Sequence, residues 1–156
     1  MSDAISGGQI SDRESMIAEL KCVVQPFLRS AGFAGSFPHY RKISTDCIDL
    51  LTFQFDRRGG GFVIEIARCP TDGIVTALGL RVPPNKTKVW DIHPNFRKRI
   101  QQRPGGGTDA WFRFDAVSPA RIAAEALSRL TLGDLWEDVR ISDSKQIGRA
   151  SCRERV

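Results

Sequence analysis

The cleanest alternation of hydrophobic and polar residues lies between Cys47 and Pro70, in the stretch CIDLLTFQFDRRGGGFVIEIARCP. Leu51, Phe53 and Phe55 fall on one side of an extended chain, with Thr52, Gln54 and Asp56 on the other. After a break, Phe62, Ile64 and Ile66 repeat the pattern against Val63, Glu65 and Ala67. A period of two marks a strand with one buried face. The intervening Asp56-Arg57-Arg58-Gly59-Gly60-Gly61 is polar and rich in glycines, which take positive φ without steric cost. Two strands joined by a tight reversal are therefore predicted at the middle of a sheet.

Upstream the period changes. Ser11-Asp12-Arg13-Glu14 spells a capping box, and Ile17, Leu20, Val24, Phe27 and Ala31 form an apolar stripe at helical spacing. Gly32 closes the pattern as a left-handed cap, and Pro26 inside it lacks the amide a continuous helix needs, so a kink or a division is predicted there. Phe37 to Ile43 reads as a short first strand with Pro38 at its start or on a sheet edge. Downstream, Ile74 to Val82 predicts a strand with Leu78, Leu80 and Val82 on one face, ended by Pro83-Pro84. Phe96 and Ile100, four apart, predict a short helix over Pro94 to Gln102.

Ala110 to Asp115 reads as a strand in which Trp111 and Arg113 face away from Phe112 and Phe114. Ser118-Pro119 opens a second helix with Ile122, Ala126, Leu127 and Leu130 on its apolar side, and Leu135 and Trp136 pack a last turn beyond Gly133. Strands framed by helices imply an α+β domain: a mostly antiparallel sheet of about four to five strands, with the N-terminal and C-terminal helices packed on one face. A single domain is expected over residues 11–141, with a flexible N-terminus at 1–10.

Composition sharpens this only a little. Hydrophobic content of 41% and charged content of 26% are ordinary for a globular domain. No apolar run has the length of a membrane span, and MSDAISGGQISD lacks the basic and apolar regions of a signal peptide, so a cytoplasmic protein with no membrane partner is expected. Cys22, Cys47, Cys69 and Cys152 form no CxxC pair, which argues for reduced thiols and against a zinc or redox motif. The net charge of +5 points to an acidic partner. However, the segment 145–156, KQIGRASCRERV, resembles an adapter-derived read-through, is expected to be non-native and disordered, and carries three of those five charges.

Candidate chemistry is sparse. The two histidines, His39 and His93, belong to no nucleophile motif with Cys47 or Cys69, and no ligand pair has chelate spacing, so neither catalytic residues nor a metal or other cofactor is expected. Neither Gly59-Gly60-Gly61 nor Gly105-Gly106-Gly107 precedes the Lys-Ser/Thr pair of a phosphate loop. The richest stretch is the basic connection from Lys86 to Arg103, where Lys88, Arg97, Lys98 and Arg99 accompany Trp90 and Phe96. Arginine and tryptophan are typical anchors at protein interfaces, and the same mixture of charge and rings suits a nucleic acid.

Residues 16 to 114 resemble a bacterial family known as domain of unknown function 4304. The similarity rests on the helix ending LRSAGF with Pro26 inside it, Tyr40-Arg41, a strand carrying Gln54, the glycine turn into the Phe62 strand, Gly79 and Trp111. Phe112 departs from a paired tryptophan, and Arg103-Pro104-Gly105 loosely matches an Arg-x-Gly element. The resemblance implies no established reaction and leans toward an immunity or accessory role in protein binding. The leading expectation is thus a non-enzymatic protein-interaction module that presents Trp90, Arg97, Lys98, Arg99 and Arg103 to an acidic partner. Nucleic-acid binding is the second. A small-molecule enzyme or binder with a pocket around Arg41, Gln54, Arg81 and Trp111 is the third.

Overall fold

A computed structural model describes residues 11–102, 111–132 and 135–142. The expected mobile N-terminus, Arg103, the Gly105-Gly106-Gly107 loop, Gly133 and the tail from Lys145 lie outside these residues. Helices α1 (Asp12–Val23) and α2 (Gln25–Ser30) come first, followed by strands β1 (Ala34–Ser36), β2 (His39–Ile43), β3 (Ile48–Phe55) and β4 (Gly61–Cys69). Next are β5 (Ile74–Val75) and β6 (Arg81–Val82), three single 3-10 turns between Pro84 and Phe96, β7 (Lys98–Ile100), β8 (Phe112–Arg113) and helix α3 (Pro119–Leu130). The α+β class is as the sequence predicts.

The predicted central hairpin forms, and its register sets Ile48 opposite Cys69 and Phe55 opposite Phe62. Its reversal is closed by the Asp56 amide donating to the Gly61 carbonyl and the Gly59 amide to the Asp56 carbonyl, both at 2.9 Å, while Gly59 and Gly60 take φ of 91° and 82°. β2 and then β1 extend the sheet beyond β3. On the other side, β7 and β8 share the outer edge of β4, β7 along Ile64 to Ile66 and β8 along Gly61 and Phe62. The result is an antiparallel sheet of six strands, with β5 and β6 as a separate pair.

The helices lie on one face. Met16, Leu20, Val24 and Leu28 from the first two helices and Ile122, Ala123, Ala126 and Leu130 from α3 meet Leu51, Phe53, Phe62, Ile64 and Ile66 in the main core. Ser11 caps α1 through a full capping box, accepting from the Glu14 amide at 3.1 Å, and Ser118 accepts from the Arg121 amide at 3.3 Å at the start of α3. Pro26 divides the first helix as predicted. It occupies the first turn of α2, where a missing amide costs nothing. The buried stripe is the i, i+4 series Met16, Leu20, Val24, Leu28, whereas Ile17, Phe27 and Ala31 are partly exposed.

Three expectations change. Ile74 to Val82 is not one strand but a hairpin, because the Thr76 amide donates to the Leu80 carbonyl and turns the chain. Leu78 and Leu80 consequently point into solvent instead of lining a strand face. Pro94 to Gln102 is not a helix: its two apolar markers pack on opposite sides of the sheet, Ile100 in the main core and Phe96 against a second one. That second core is the third change, since alternation predicted a single buried face. Ile48, Leu50, Ala67 and Cys69 on the reverse face are covered by Ile74, Val89 and Ile92 from the segment between β4 and β7.

The closing segment is held by Arg68 of β4. Its guanidinium bonds to Asp49 at 2.7 Å, donates to the carbonyls of Trp136 and Val139 at 3.2 and 3.3 Å, and lies 5.2 Å from the Trp136 ring centre. The Ser142 amide returns a bond to the Arg68 carbonyl at 2.8 Å. Phe62 is fully buried between Phe112, Phe55 and Phe53. Phe62→Ala is therefore expected to cost about 3 to 5 kcal/mol in urea unfolding, while Leu78→Ala should change stability by less than about 0.5 kcal/mol.

Candidate interaction surface

Strand register sets four polar residues in one row across the reverse face. His39 stands opposite Thr52, Thr52 opposite Glu65, and Glu65 opposite Arg99, so β2, β3, β4 and β7 each contribute one. The buried Thr52 hydroxyl lies 3.1 Å from the Pro38 carbonyl and 2.9 Å from His39 Nδ1. Glu65 is only 6% exposed. A carboxylate so deeply placed needs compensating charge, and two guanidiniums supply it. Arg99 Nη2 donates to Oε2 at 3.1 Å, and Arg97 Nη1 stands 3.9 Å from Oε1.

Arg97 is kept at that distance by its own bonds. Its Nε donates to the Ile92 carbonyl at 2.8 Å and its Nη2 to the Trp90 carbonyl at 3.1 Å. Glu65 Oε1 accordingly accepts no hydrogen bond among the described residues. The same three contacts tie the position of Trp90 to the sheet. Its indole is 53% exposed and meets the His39 ring edge-on, with ring centres 4.7 Å apart. Burial, with added repulsion from Lys88 and Arg41, holds the His39 pKa below the usual imidazole value against the opposing pull of Asp91. The neutral form of the ring is therefore favoured at this contact.

At the far end of the row, the Arg99 guanidinium lies 5.5 Å from the Trp111 ring centre and that of Arg113 lies 5.9 Å from it. Arg113 also faces Asp56 at 3.6 Å. A layer of rings and guanidiniums, Trp90, Arg97, Arg99, Trp111 and Arg113, thus shares the face of the buried Thr52 and Glu65, with Arg97 and Arg99 at the carboxylate itself. Glycine at 61 makes room for it, because a Cβ there would meet Arg113 Nη1 at 2.8 Å.

Of the residues expected to bind a partner, Trp90, Arg97 and Arg99 come together in this layer. Lys98 turns to the other face, where its ammonium bonds to the Leu135 carbonyl at 2.8 Å and to Asp138 at 2.9 Å, and the bond from Lys98 holds the Asp138 carboxyl below its usual range. Arg103 lies outside the described residues. The expected pocket group is dispersed. Arg41 donates to the Thr87 carbonyl at 2.8 and 3.2 Å, Gln54 sits opposite Val63, and Arg81 is exposed on the separate β5–β6 pair. Trp111 joins the arginine layer instead. Arg113 and the His39, Thr52, Glu65 row were not among the expected site residues, and only the strand register links them.

A thiol–histidine reading gains nothing from the geometry. A nucleophilic cysteine needs its pKa lowered, yet burial pushes Cys69 up to about 12, and burial followed by the Asp49 charge raises Cys47. Among the described residues no group of three or more His, Cys, Asp or Glu side chains is placed to hold a metal ion, and no helix is long and apolar enough to cross a membrane.

Arg99→Ala removes the one hydrogen bond to Glu65 from this pair of arginines and should destabilise the fold by about 1 to 3 kcal/mol. Adding Glu65→Gln to that variant should restore part of the loss, which a double-mutant cycle in urea measures. Tyr40 and Cys69 both have pKa values raised to about 12 by burial, above ordinary values of 10.0 and 9.0. A raised pKa means the neutral form is favoured in the fold, so this stability is complete below pH 9.0 and is lost as pH rises toward about 12. Alkylation with iodoacetamide at mildly alkaline pH should mark the exposed Cys22 and spare Cys69, as peptide mass spectrometry would show.

No curated protein and no solved structure matches the chain. A family model does: it spans residues 24–137, from the helix break at Pro26 through β8 and α3 to the Trp136 that stacks under Arg68. The chain belongs to the family described as domain of unknown function DUF4304.

Proposed function

We propose that the protein is a non-enzymatic interaction module, acting in an immunity or accessory capacity, that binds an acidic protein through the layer formed by Trp90, Arg97, Arg99, Trp111 and Arg113. The observation that carries this reading is the exposed Trp90, packed edge-on against His39 on the same sheet face as the Arg99 and Arg113 guanidiniums that lie near the Trp111 ring. Tryptophan and arginine are the residues that most often dominate interface energies, and an anchor fixed before binding loses little conformational freedom on docking. Glu65 serves the layer from beneath. It orders Arg97 and Arg99 while leaving the row Glu65, Arg97, Arg99 with a net positive charge toward an acidic partner.

Because Arg97 and Arg99 also stabilise the buried Glu65, reversing their charge tests folding as much as binding. Tryptophan variants separate the two. Immobilised protein should retain a stoichiometric polypeptide from a lysate of its native host, with nuclease present, and release it at high salt. Trp90→Ala combined with Trp111→Ala should abolish retention by more than about tenfold while leaving far-UV circular dichroism unchanged. Equal retention by the variant overturns the reading, and loss of the bound species on nuclease treatment replaces it with nucleic-acid binding.

A further inference from the structure

The β5–β6 hairpin presents a second surface. Its turn is tightly made: the Thr76 amide donates to the Leu80 carbonyl at 2.8 Å, the Gly79 amide to the Thr76 carbonyl at 2.9 Å, and the Leu80 amide to the Thr76 hydroxyl at 3.2 Å. Gly79 takes a φ of 83°, a conformation other residues adopt at a cost. At the base, Ile74 is buried in the second core with Val82 against it. This is a firm scaffold, yet what it holds out is apolar. Leu78 is 86% exposed and Leu80 62%, the two most exposed large hydrophobic side chains among the described residues.

The charge along the hairpin and the turns that follow it is mostly positive. From Gly73 to Trp90 the chain carries Arg81, Lys86 and Lys88 and no acidic residue, and all three cations are exposed; Asp72 and Asp91 flank the stretch. The tip stands about 10 Å from the base, three residues of extended chain, and Arg81 is the cation next to it in sequence, with the two lysines beyond the base. Lysine is depleted at protein interfaces but is the usual cation of segments that approach anionic lipid. Two leucines at a convex turn also offer far less area than the roughly 800 Å² per partner of a specific protein interface. A deformable apolar phase under a layer of negative headgroups accepts such a tip.

We infer that the Thr76–Arg81 hairpin is a peripheral membrane-docking point, inserting Leu78 and Leu80 below the headgroups of an anionic bilayer while Arg81, Lys86 and Lys88 engage the headgroup phosphates and carboxylates. It needs no spanning segment, so the lack of an apolar run in the sequence, which set the expectation of no membrane partner, does not bear on it. Leu78 and Leu80 are not residues of the tryptophan–arginine layer, whereas Lys88 adjoins that layer at His39.

The test is co-sedimentation of the full chain with phosphatidylcholine vesicles and with vesicles in which a third of the lipid is phosphatidylserine. Sedimentation should require phosphatidylserine, weaken at high salt, and fall at least about tenfold in Leu78→Ser/Leu80→Ser and in Lys86→Glu/Lys88→Glu. Both variants alter exposed side chains, and unchanged thermal unfolding shows that they fold. Failure of wild-type protein to sediment, or equal sedimentation of the leucine variant, overturns the inference. So does a leucine variant that keeps vesicle binding but loses the polypeptide retained by the tryptophans, which would make the tip part of a protein contact. Loss of vesicle binding with that retention intact supports the inference and leaves the interaction reading standing.

Discussion

Strand β4 is covered on both faces, and the rest of the molecule is arranged to cover it. Eight of its nine residues are buried. One face takes the helices, which supply enough apolar surface in regular rows. Among the described residues the other face carries no α-helix. It is closed by 3-10 turns over Leu50, Ala67 and Cys69, and by Arg97 and Arg99 at Glu65. A buried acid in the central strand fixes what can lie above it, because a carboxylate removed from water must be met by positive charge. Arg97 and Arg99 are placed by that requirement, and Trp90 by Arg97.

The regular parts of this arrangement are legible in the sequence. The hairpin from Ile48 to Cys69, the capping box at Ser11, the helix division at Pro26, the Ser118-Pro119 helix start and the α+β class follow from local periodicity and local hydrogen bonding. What is not legible is set by register between distant segments. Phe96 and Ile100 are spaced as on a helix, yet they pack on opposite faces of the sheet because β4 offers a free edge between them. Leu78 and Leu80 look like strand residues, but a turn held by Thr76 outweighs their apolar pattern. Glu65 reads as a wet-face residue of an amphipathic strand. Its burial, and hence its demand for Arg97 and Arg99, emerges only when the segment from Pro84 to Ile100 returns across the sheet.

The candidate surface shows the same division. Sequence draws attention to Trp90 and the arginines by composition alone, and treats Arg97, Lys98 and Arg99 as one basic run. An extended strand sends alternate side chains to opposite faces, so Lys98 goes to the closing segment while Arg97 and Arg99 go to Glu65. Charge counted along a chain therefore overstates the charge available to a partner. Much of it is already in use within the fold, and what remains outward is a shape, ring beside guanidinium, more than a net charge.

The attachment of the last described segment to Arg68 has a consequence of a different kind. The guanidinium reads the carbonyls of Trp136 and Val139, groups that every residue possesses, and the Ser142 amide answers the Arg68 carbonyl in the same impersonal way. Particular side chains add to this docking: Leu135 and Val139 are buried in the main core, Asp138 pairs with Lys98, and the Trp136 ring lies against Phe33 and Arg68. The backbone bonds hold the path of the segment whatever it carries, while Leu135, Trp136, Asp138 and Val139 constrain its spelling, so substitution at the exposed Glu137 should leave the docking intact.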